Sequence, residues 1–433
     1  MSDERFVIEG GARLSGEVTV SGAKNAALKF MAAALLAPGR TQLTNVPRIK
    51  DMHTMCALLE SLGAETSFEG HEATIDASGI DSYTAPYDLV RQMRASIVVL
   101  GPLLARFGKA EVSAPGGCQL GFRKFDFHLN GLRKLGAEVE LDHGFIKATA
   151  PNGLRGAEIN FEFPSVGATE NVMMAAVLAS GITIVENAAR EPEIVALADF
   201  LNAMGANVVG AGTGRIVIEG VDEMHPAAFE VVPDRIESGT FIMATAATGG
   251  DVLVRGAREG YLKMELEKLR EMGVEVRAVT GGIRVSVDDP GELRSVDIST
   301  LPFPGYATDL QQPMMVLLTQ VSGAGIITEN IFENRLQVGE ELNRMGAGID
   351  LFGGHRALVR GPKRLSGTIV QAPDLRGGAA LVLAGLVARG RTTVENSGHI
   401  LRGYEGFEEK LTGLGARVAF ESGTALASRA GTV

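Results

Sequence analysis

The residues best suited to chemistry lie in short islands where a turn-forming glycine or a carboxylate adjoins a cation. These islands are Ser21-Gly22-Ala23-Lys24-Asn25, Met93-Arg94-Ala95-Ser96, Pro115-Gly116-Gly117-Cys118 with Arg123, Thr308-Asp309, Glu333-Asn334-Arg335, Asp374-Leu375-Arg376-Gly377-Gly378, and His399 with Arg402-Gly403-Tyr404. Arginines beside glycine-rich turns can present paired N–H donors to a phosphate or a carboxylate. Taken singly, each arginine is more typical of a solvated surface, and no spacing rule in the sequence brings the islands together.

The two cysteines differ in their surroundings. Cys118 lies in a turn without an amphipathic pattern, where Arg123 and Lys124 can stabilise a thiolate. Cys56 lies inside a helical pattern, which predicts a buried thiol. His53 stands three residues before Cys56, the spacing of a metal-binding pair, but no second pair accompanies it and the seven histidines are scattered, so we predict no metal site.

Other common site motifs do not occur in the sequence. There is no Gly-x-x-x-x-Gly-Lys-Ser/Thr phosphate loop, no nucleophile elbow and no His-Glu-x-x-His. Gly210-Ala211-Gly212 has the look of a dinucleotide loop, but it leads from one strand pattern into another rather than into a helix. We therefore predict a hairpin turn there.

Charge and hydropathy restrict the class of partner. The formal net charge of −11 argues against a broad surface for nucleic acid or anionic membrane, so an anionic ligand must be bound by a local cluster of cations. The longest apolar stretch, Val172 to Val185, is broken by polar residues and is shorter than the ~18 residues that span a bilayer. No apolar signal segment opens the chain, and two cysteines do not form a disulfide framework, so we expect a cytoplasmic protein.

One pattern recurs six times and predicts the elements that position these islands. It reads apolar-x-x-Leu/Met-Gly, with glycines at Gly63, Gly136, Gly205, Gly273, Gly346 and Gly415. In each copy, the spacing of the apolar residues predicts a helix, the glycine predicts its left-handed end, and the next apolar residue begins a strand. The period of about 70 residues exceeds the usual 20–50 of solenoid repeats. The pattern therefore favours six compact α/β repeats, grouped three and three into two lobes.

Taken together and in order, the islands resemble the family of UDP-N-acetylglucosamine enolpyruvyl transferases, the MurA family. The matching stretches are SGAKNAAL, MRAS, PGGC, SVGATEN, AAREPEI, PDRIESGTF, TDLQ, FENR, DLR and HILRGYE. The resemblance covers residues 5–420 and implies an α/β fold of α+β repeats, a two-lobed inside-out α/β barrel built from six βαβαββ units. It implies one discontinuous lobe of residues 1–22 with 233–420 and a second lobe of residues 23–232 that carries the Cys118 loop. Residues 421–433 lack periodicity and are expected to be a disordered tail.

The resemblance also implies an activity. The enzyme would be a transferase that moves the enolpyruvyl group of phosphoenolpyruvate to the 3′-hydroxyl of UDP-N-acetylglucosamine, the first committed step of peptidoglycan synthesis. The hydroxyl adds to C2 while C3 gains a proton, and the tetrahedral ketal then loses phosphate. The expected partners are these two small molecules, with no cofactor, no metal, no nucleic acid and no membrane insertion, and a monomer is favoured over an oligomer.

The resemblance assigns catalytic roles to five residues. Lys24 matches the lysine that bridges the phosphate and carboxylate of phosphoenolpyruvate, and Asp309 matches the carboxylate placed at the attacking hydroxyl. Asp374 is expected next to the reacting carbon, and Arg402 belongs to a cationic cradle. Cys118 matches a loop cysteine that is proposed to protonate C3 and to be alkylated by fosfomycin.

The residues that the resemblance implies for substrate binding are Lys24, Asn25, Arg94, Arg123, Asp126, His128, Ser165, Val166, Gly167, Asp309, Ile331, Arg335, Arg376 and Arg402. In this assignment Arg94 and Arg123 reach the uridine diphosphate or a phosphate. Arg335 and Arg376 line the anion pocket. The turn that begins at Ser165 binds the uridine diphosphate, helped by the amides that open the following helix.

The sequence departs from the family pattern in two places. Some relatives have a lysine just before the uridine turn, where this chain has Phe163-Pro164, and many have an alanine in place of the second glycine of Gly377-Gly378. Two alternatives stay open at this point. One is the related shikimate-phosphate enolpyruvyl synthase, which usually opens on a serine-rich Gly-Ser-Lys-Ser motif and lacks the PGGC loop. The other is a silent paralogue that binds the sugar nucleotide without turnover.

Overall fold

The computed structural model describes residues 4–113 and 125–422. Its contacts divide these residues into two compact units. Unit one comprises residues 4–21 and 233–422, and unit two comprises residues 22–113 and 125–232. That each unit folds as a separate domain stays a prediction.

The strands of the described residues are β1 Arg5–Glu9, β2 Leu14–Thr19, β3 Arg40–Thr44, β4 Glu65–Glu69, β5 Glu72–Asp76, β6 Thr84–Ala85, β7 Lys109–Ser113, β8 Glu138–Asp142, β9 Phe145–Thr149, β10 Glu158–Asn160, β11 Ile182–Glu186, β12 Asn207–Val209, β13 Arg215–Glu219, β14 Ala228–Glu230, β15 Gly250–Arg255, β16 Glu275–Val279, β17 Gly282–Val287, β18 Ile298–Ser299, β19 Gly323–Thr328, β20 Gly348–Phe352, β21 Arg356–Gly361, β22 Ile369–Gln371, β23 Arg391–Glu395 and β24 Arg417–Glu421.

The α-helices of the same residues are α1 Lys24–Ala33, α2 Lys50–Ser61, α3 Tyr87–Gln92, α4 Leu100–Phe107, α5 Asp126–Lys134, α6 Val166–Ala176, α7 Pro192–Ala203, α8 Arg235–Thr248, α9 Lys263–Met272, α10 Gln311–Gln320, α11 Val338–Arg344, α12 Leu375–Val387 and α13 Phe407–Gly413. Short 3-10 helices cover Ala34–Leu36, Arg94–Val99, Glu259–Tyr261, Pro290–Glu292, Thr308–Leu310 and Ser397–Arg402. Over the described ranges, no helix is both long enough and apolar enough to cross a bilayer.

Every sheet in the described residues has four strands in the same arrangement. Unit two contains the sheets β14-β3-β5-β4, β6-β7-β9-β8 and β10-β11-β13-β12, and unit one contains β2-β15-β17-β16, β18-β19-β21-β20 and β22-β23-β1-β24. In each sheet the first two strands are parallel and the other two neighbouring pairs are antiparallel. The repeat pattern in the sequence therefore corresponds to a repeated supersecondary structure, which confirms the predicted fold class.

A buried helix precedes the second strand of each sheet, and in the sheets that begin with β6, β10, β18 and β22 it lies in the crossover connection that a parallel pair requires. These helices are α1, α4, α6 in unit two and α8, α10, α12 in unit one. Apart from the shorter α4, they are apolar around most of their circumference, and helices of this composition are stable only when surrounded by protein. The sheets alternate buried and exposed residues, as in β3 and β13, so that one face covers the helices and the other faces solvent. Each unit has its own hydrophobic core.

The six repeat glycines end the outer helices α2, α5, α7, α9, α11 and α13. Their φ angles lie between 94° and 101°, a left-handed conformation that a side chain would strain. A strand begins two residues after each of them. The local prediction of a helix, a left-handed glycine and a strand is therefore confirmed in all six copies.

The structure describes the predicted turn and the first two residues of the predicted tail. Gly210 and Gly212 both have positive φ and connect the antiparallel strands β12 and β13, which confirms the hairpin. Glu421 closes β24, where its carboxylate pairs with Arg5 at 2.7 Å. Residues 423–433 of the predicted tail lie outside the described residues.

Candidate functional site

In unit one, the carboxylate of Asp309 lies between two buried arginines. Arg335 Nη2 donates to Asp309 Oδ1 at 2.5 Å, and Arg376 Nε donates to Asp309 Oδ2 at 3.3 Å. Arg335 is 3% exposed and Arg376 is 5% exposed, whereas a quarter of the Asp309 side chain is accessible. The structure thus brings Asp309, which the resemblance places at the attacking hydroxyl, together with Arg335 and Arg376, which it assigns to one anion pocket.

The packing of α10 against α12 brings Asp309 and Arg376 together. Asp309 lies in the 3-10 helix Thr308–Leu310, which runs directly into α10, while Arg376 lies in the first turn of α12. Helices α10 and α12 pack against each other. Arg335 comes from the loop before α11, and its main-chain carbonyl accepts a hydrogen bond from Gln311 Nε2 at 3.1 Å. The three side chains therefore converge because their elements pack on one core.

Two donors of these arginines are buried and have no hydrogen-bond partner within the described residues. They are Arg335 Nε and Arg376 Nη1, and the side-chain oxygens of Gln311 and Gln312 nearby are also without a donor. An unpaired buried donor costs free energy of about 1–3 kcal/mol or more when it belongs to a charged group. Two guanidinium groups that have unpaired N–H donors, beside a carboxylate that is one-quarter accessible, form a site that favours an anion.

Asp374 has a structural role that the sequence analysis did not assign. It is the N-cap of α12, and its Oδ1 accepts hydrogen bonds from the main-chain N–H groups of Arg376 at 2.8 Å and Gly377 at 3.0 Å. Its Oδ2 accepts from Gln312 Nε2 at 3.5 Å. Asp374 thus fixes the start of the helix that carries Arg376, and one of its oxygens faces α10.

Arg402 and Ile331 lie in elements that adjoin this cluster. Arg402 ends the 3-10 helix Ser397–Arg402, which packs against α12. The main-chain N–H of Ile331 donates to Glu329 Oε1 at 2.8 Å. The Arg376 guanidinium lies 5.1 Å from the ring centre of buried Tyr404, which adds a cation–π contact.

Sequence reasoning missed Glu329. This residue is fully buried, and its two carboxylate oxygens accept hydrogen bonds from the segments that carry Asp309 and Ile331. A glutamate two residues before a predicted contact residue gives no distinctive pattern in the sequence. Only its four hydrogen bonds in the folded chain identify it.

In unit two, Lys24 opens α1 and forms an ion pair with Asp51 in the first turn of α2. The distance from Lys24 Nζ to Asp51 Oδ2 is 2.7 Å, and the two side chains are 14% and 3% exposed. Asn25 follows Lys24 in the first turn of α1 and is half-buried. Since α1 and α2 pack against each other, the position of Lys24 depends on both helices.

The predicted uridine turn is the N-terminus of α6. Ser165 is the N-cap, and its Oγ accepts from the main-chain N–H of Ala168 at 3.4 Å. Val166 and Gly167 form the first turn of the helix, and the ring of His128 lies against Gly167, where a Cβ would come within 3.1 Å of it. Asp126, the first residue of α5, is exposed. The structure therefore brings His128 to the turn at Ser165–Gly167.

Several predictions concern parts that the structure does not describe. Cys118 and Arg123 lie in residues 114–124, outside the described residues. Arg94 is the first residue of the 3-10 helix Arg94–Val99, and its side chain is outside the description. The predictions for these three residues stay predictions.

The second thiol and the departures from the family pattern are described. Cys56 is buried, as predicted, and burial raises the pKa of its thiol. No cluster of three potential metal ligands occurs among residues 4–113 and 125–422. At the first departure from the family pattern, Phe163 is 41% exposed. At the second, a Cβ at Gly378 would come within 2.9 Å of the Ile400 side chain, so this glycine allows α12 to pack closely against Ile400.

Comparison with known proteins shows the family to which the chain belongs. The chain matches the EPSP synthase family, described as 3-phosphoshikimate 1-carboxyvinyltransferase, over residues 8–411. A UDP-N-acetylglucosamine 1-carboxyvinyltransferase of Trichlorobacter lovleyi is 53% identical over 417 residues, which are 96% of this chain and 98% of that protein. A UDP-N-acetylglucosamine 1-carboxyvinyltransferase 2 of Carboxydothermus hydrogenoformans is 52% identical over 96% of this chain and 99% of its own length.

Solved structures show the same fold. The enolpyruvyl transferase NikO of Streptomyces tendae superposes with a TM-score of 0.86 and 26% identity, over 98% of this chain and 100% of that chain. An EPSP synthase of Acinetobacter baumannii superposes with a TM-score of 0.73 over 97% of this chain and 100% of its own, and at 19% identity this similarity concerns the fold alone.

Proposed function

The chain belongs to the EPSP synthase family of enolpyruvyl transferases, and from this premise we propose that it is a UDP-N-acetylglucosamine 1-carboxyvinyltransferase. The reaction joins the 3′-hydroxyl oxygen of the sugar nucleotide to C2 of phosphoenolpyruvate while a proton adds to C3. The ketal then loses a proton from C3, and the bond between C2 and the phosphate oxygen breaks. The products are inorganic phosphate and the enolpyruvyl ether of the sugar nucleotide, which is the first committed product of peptidoglycan synthesis.

The observation that carries the proposal is the placement of Asp309 between two arginines in a chain half identical to enzymes of this name. Phosphoenolpyruvate carries a carboxylate and a phosphate, and both match the paired N–H donors of a guanidinium group. Arg335 and Arg376 have buried N–H donors that no residue of the described chain accepts. These donors suit an anionic substrate and a developing negative charge.

Asp309 is the proposed base for the attacking hydroxyl. The same arginines that pair with Asp309 would also pair with an anionic substrate, and competition for their donors would weaken their hold on the carboxylate. The freed carboxylate would then accept the hydroxyl proton. A positioned acid or base typically contributes about 10²–10⁴ in rate. Asp374 and Arg402 are proposed to assist next to the reacting carbon and in the cationic cradle.

The proposed contacts in unit two concern the sugar nucleotide and phosphoenolpyruvate. Lys24 supplies a charge for the phosphate and carboxylate, and Asn25 a contact to the sugar nucleotide. The N-terminus of α6 at Ser165–Gly167 offers main-chain N–H donors to the uridine diphosphate. Asp126, His128 and Arg94 are proposed to meet the nucleotide. Of the residues outside the description, Arg123 is also proposed to meet the nucleotide, and Cys118 is proposed to give the proton to C3.

We also propose a monomer, and a cytoplasmic location, since the two substrates are soluble intracellular metabolites. Release of inorganic phosphate tests the proposed reaction. We expect release when phosphoenolpyruvate and UDP-N-acetylglucosamine are mixed with the protein, and none when either is omitted. Mass spectrometry of the sugar nucleotide should show the added enolpyruvyl group.

Two control arms separate the alternatives. Release with shikimate 3-phosphate in place of the sugar nucleotide would instead identify a shikimate-phosphate enolpyruvyl synthase. Calorimetric binding of UDP-N-acetylglucosamine without any phosphate release would identify a silent binding protein. Either result would overturn the proposed function.

A further inference from the structure

Glu329 accepts four hydrogen bonds although it is fully buried. Its Oε1 accepts from the Thr300 hydroxyl at 2.8 Å and from the main-chain N–H groups of Ile331 at 2.8 Å and Phe332 at 3.1 Å. Its Oε2 accepts from the Thr308 hydroxyl at 2.8 Å. A carboxylate has about four acceptor positions, so the described contacts use its capacity fully.

The direction of these hydrogen bonds is fixed by chemistry. A guanidinium group only donates, so Arg335 Nη1 donates to Thr308 Oγ1 across 2.7 Å. The Thr308 hydroxyl has one proton, and that proton points at Glu329. The result is a relay in which Arg335 donates to Thr308 and Thr308 donates to Glu329.

A second contact joins Glu329 to the same arginine. The Arg335 guanidinium lies 5.0 Å from the ring centre of Phe332. The main-chain N–H of Phe332 donates to Glu329. The other guanidinium nitrogen, Nη2, donates to Asp309. Thr308 and Phe332 both contact the Arg335 guanidinium group, and both are hydrogen-bonded to Glu329. They therefore fix the guanidinium group, which in turn donates to the Asp309 carboxylate.

We propose that Glu329 and Thr308 are positioning residues of the reaction: they hold Arg335, and through it Asp309, in the geometry that catalysis requires. This inference rests on the proposed function, because it assumes that Asp309 takes the hydroxyl proton. Neither residue needs to touch a substrate. Their effect is on orientation, and a displacement of about 1 Å in a catalytic group can cost about 100-fold in rate.

The experiment compares Thr308→Val with Thr308→Ser in the full-length protein. Valine has nearly the shape of threonine but cannot accept from Arg335 or donate to Glu329, whereas serine keeps the hydroxyl. We expect Thr308→Val to lower kcat about 10- to 100-fold while the KM values of both substrates change less than about threefold. Thr308→Ser should return kcat to within about threefold of the parent. Glu329→Gln should lower kcat in the same direction as Thr308→Val.

Thr245→Val is the matched control, since Thr245 is buried in α8 and donates only to the main-chain carbonyl of Phe241 at 2.9 Å. Thermal unfolding and active-site titration with labelled sugar nucleotide count the folded protein in every sample. The proposal is wrong if Thr308→Val lowers only the folded fraction of the protein. It is also wrong if kcat per folded molecule is the same in Thr308→Val as in Thr245→Val. An unmutated protein that releases no phosphate would overturn the proposed function instead, so the two failures are distinguishable.

Discussion

The side-chain amide of Asn171 donates a hydrogen bond to Nδ1 of His128, with 3.1 Å between the two nitrogens. The direction is fixed because the amide oxygen of Asn171 accepts from the main-chain N–H of Gly101 at 2.7 Å, which turns the NH₂ group towards the ring. His128 is therefore a neutral imidazole with its proton on Nε2, the edge that lies against Gly167. Burial and the positive charge of Lys29 lower the pKa of His128 to about 4.

This lowered pKa predicts a pH-dependent stability. The unfolded chain takes up a proton at His128 below about pH 6.5, whereas the folded chain does so only below about pH 4, so protons favour unfolding between these values. The contribution of His128 is fully present above about pH 6.5 and falls by about 3 kcal/mol towards pH 4. Denaturant unfolding of the parent and of His128→Gln should therefore give a free-energy difference that grows in favour of the parent as pH rises.

The comparison with a variant is necessary because two carboxyl groups change the free energy of unfolding with pH in the direction opposite to that of His128. Burial raises the pKa values of Glu170 and Glu237 to about 7, so their contributions are present at low pH and are lost as pH rises through 7. Both are present in the parent and in His128→Gln and cancel in the difference. A difference that is flat between pH 4 and pH 6.5 would contradict the neutral buried state of His128.

Asp309→Asn tests the proposed base. The amide keeps the size of the side chain but cannot accept a proton, so we expect kcat to fall about 100-fold or more while calorimetry still detects binding of both substrates. Asp374→Asn is the comparison, because asparagine is as good an N-cap as aspartate and the start of α12 should be preserved. We expect a smaller loss of kcat in Asp374→Asn. If Asp309→Asn retained turnover within a few-fold of the parent, Asp374 would be the better candidate for the base.

The ion pair of Lys24 and Asp51 separates a structural role from a catalytic one. Lys24→Met should lower the free energy of unfolding by about 3 kcal/mol, because it removes the cation that pairs with the buried carboxylate of Asp51 at 2.7 Å, and it should abolish phosphate release. The double variant Lys24→Met with Asp51→Asn should regain most of that stability but no turnover. Urea unfolding and phosphate release measure the two effects. Recovery of turnover in the double variant would show that Lys24 acts only by neutralising Asp51.

The two thiols should differ in reactivity. Burial raises the pKa of Cys56, so its thiolate is both scarce and inaccessible. Fosfomycin, an epoxide that mimics phosphoenolpyruvate, is therefore expected to modify Cys118 alone, and faster when UDP-N-acetylglucosamine is present. Mass spectrometry of peptides from the treated protein identifies the labelled residue, with Cys118→Ser as the control. Label on the Cys56 peptide, or a rate unaffected by the sugar nucleotide, would contradict this prediction.

The sequence by itself determined the repeated architecture of this protein. A helix stripe, a left-handed glycine and the next strand lie within about ten residues of one another, so each copy around Gly63, Gly205 or Gly346 specifies its own local structure. The same local information identified the buried thiol at Cys56 and the helix start at Ser165. Asp374 as an N-cap was also readable, since it directly precedes an apolar helical run, although the sequence analysis gave it only a catalytic role.

Only the tertiary structure decided which residues meet. Asp309 is separated from Arg335 by 26 positions and from Arg376 by 67, and their contacts depend on the packing of α10 against α12 and of the loop before α11. The relay through Thr308 and the buried Glu329 depends on the same packing. Hydrogen-bond geometry between distant elements is fixed to a fraction of an ångström by the core beneath them, and no residue type or spacing in the chain carries that information.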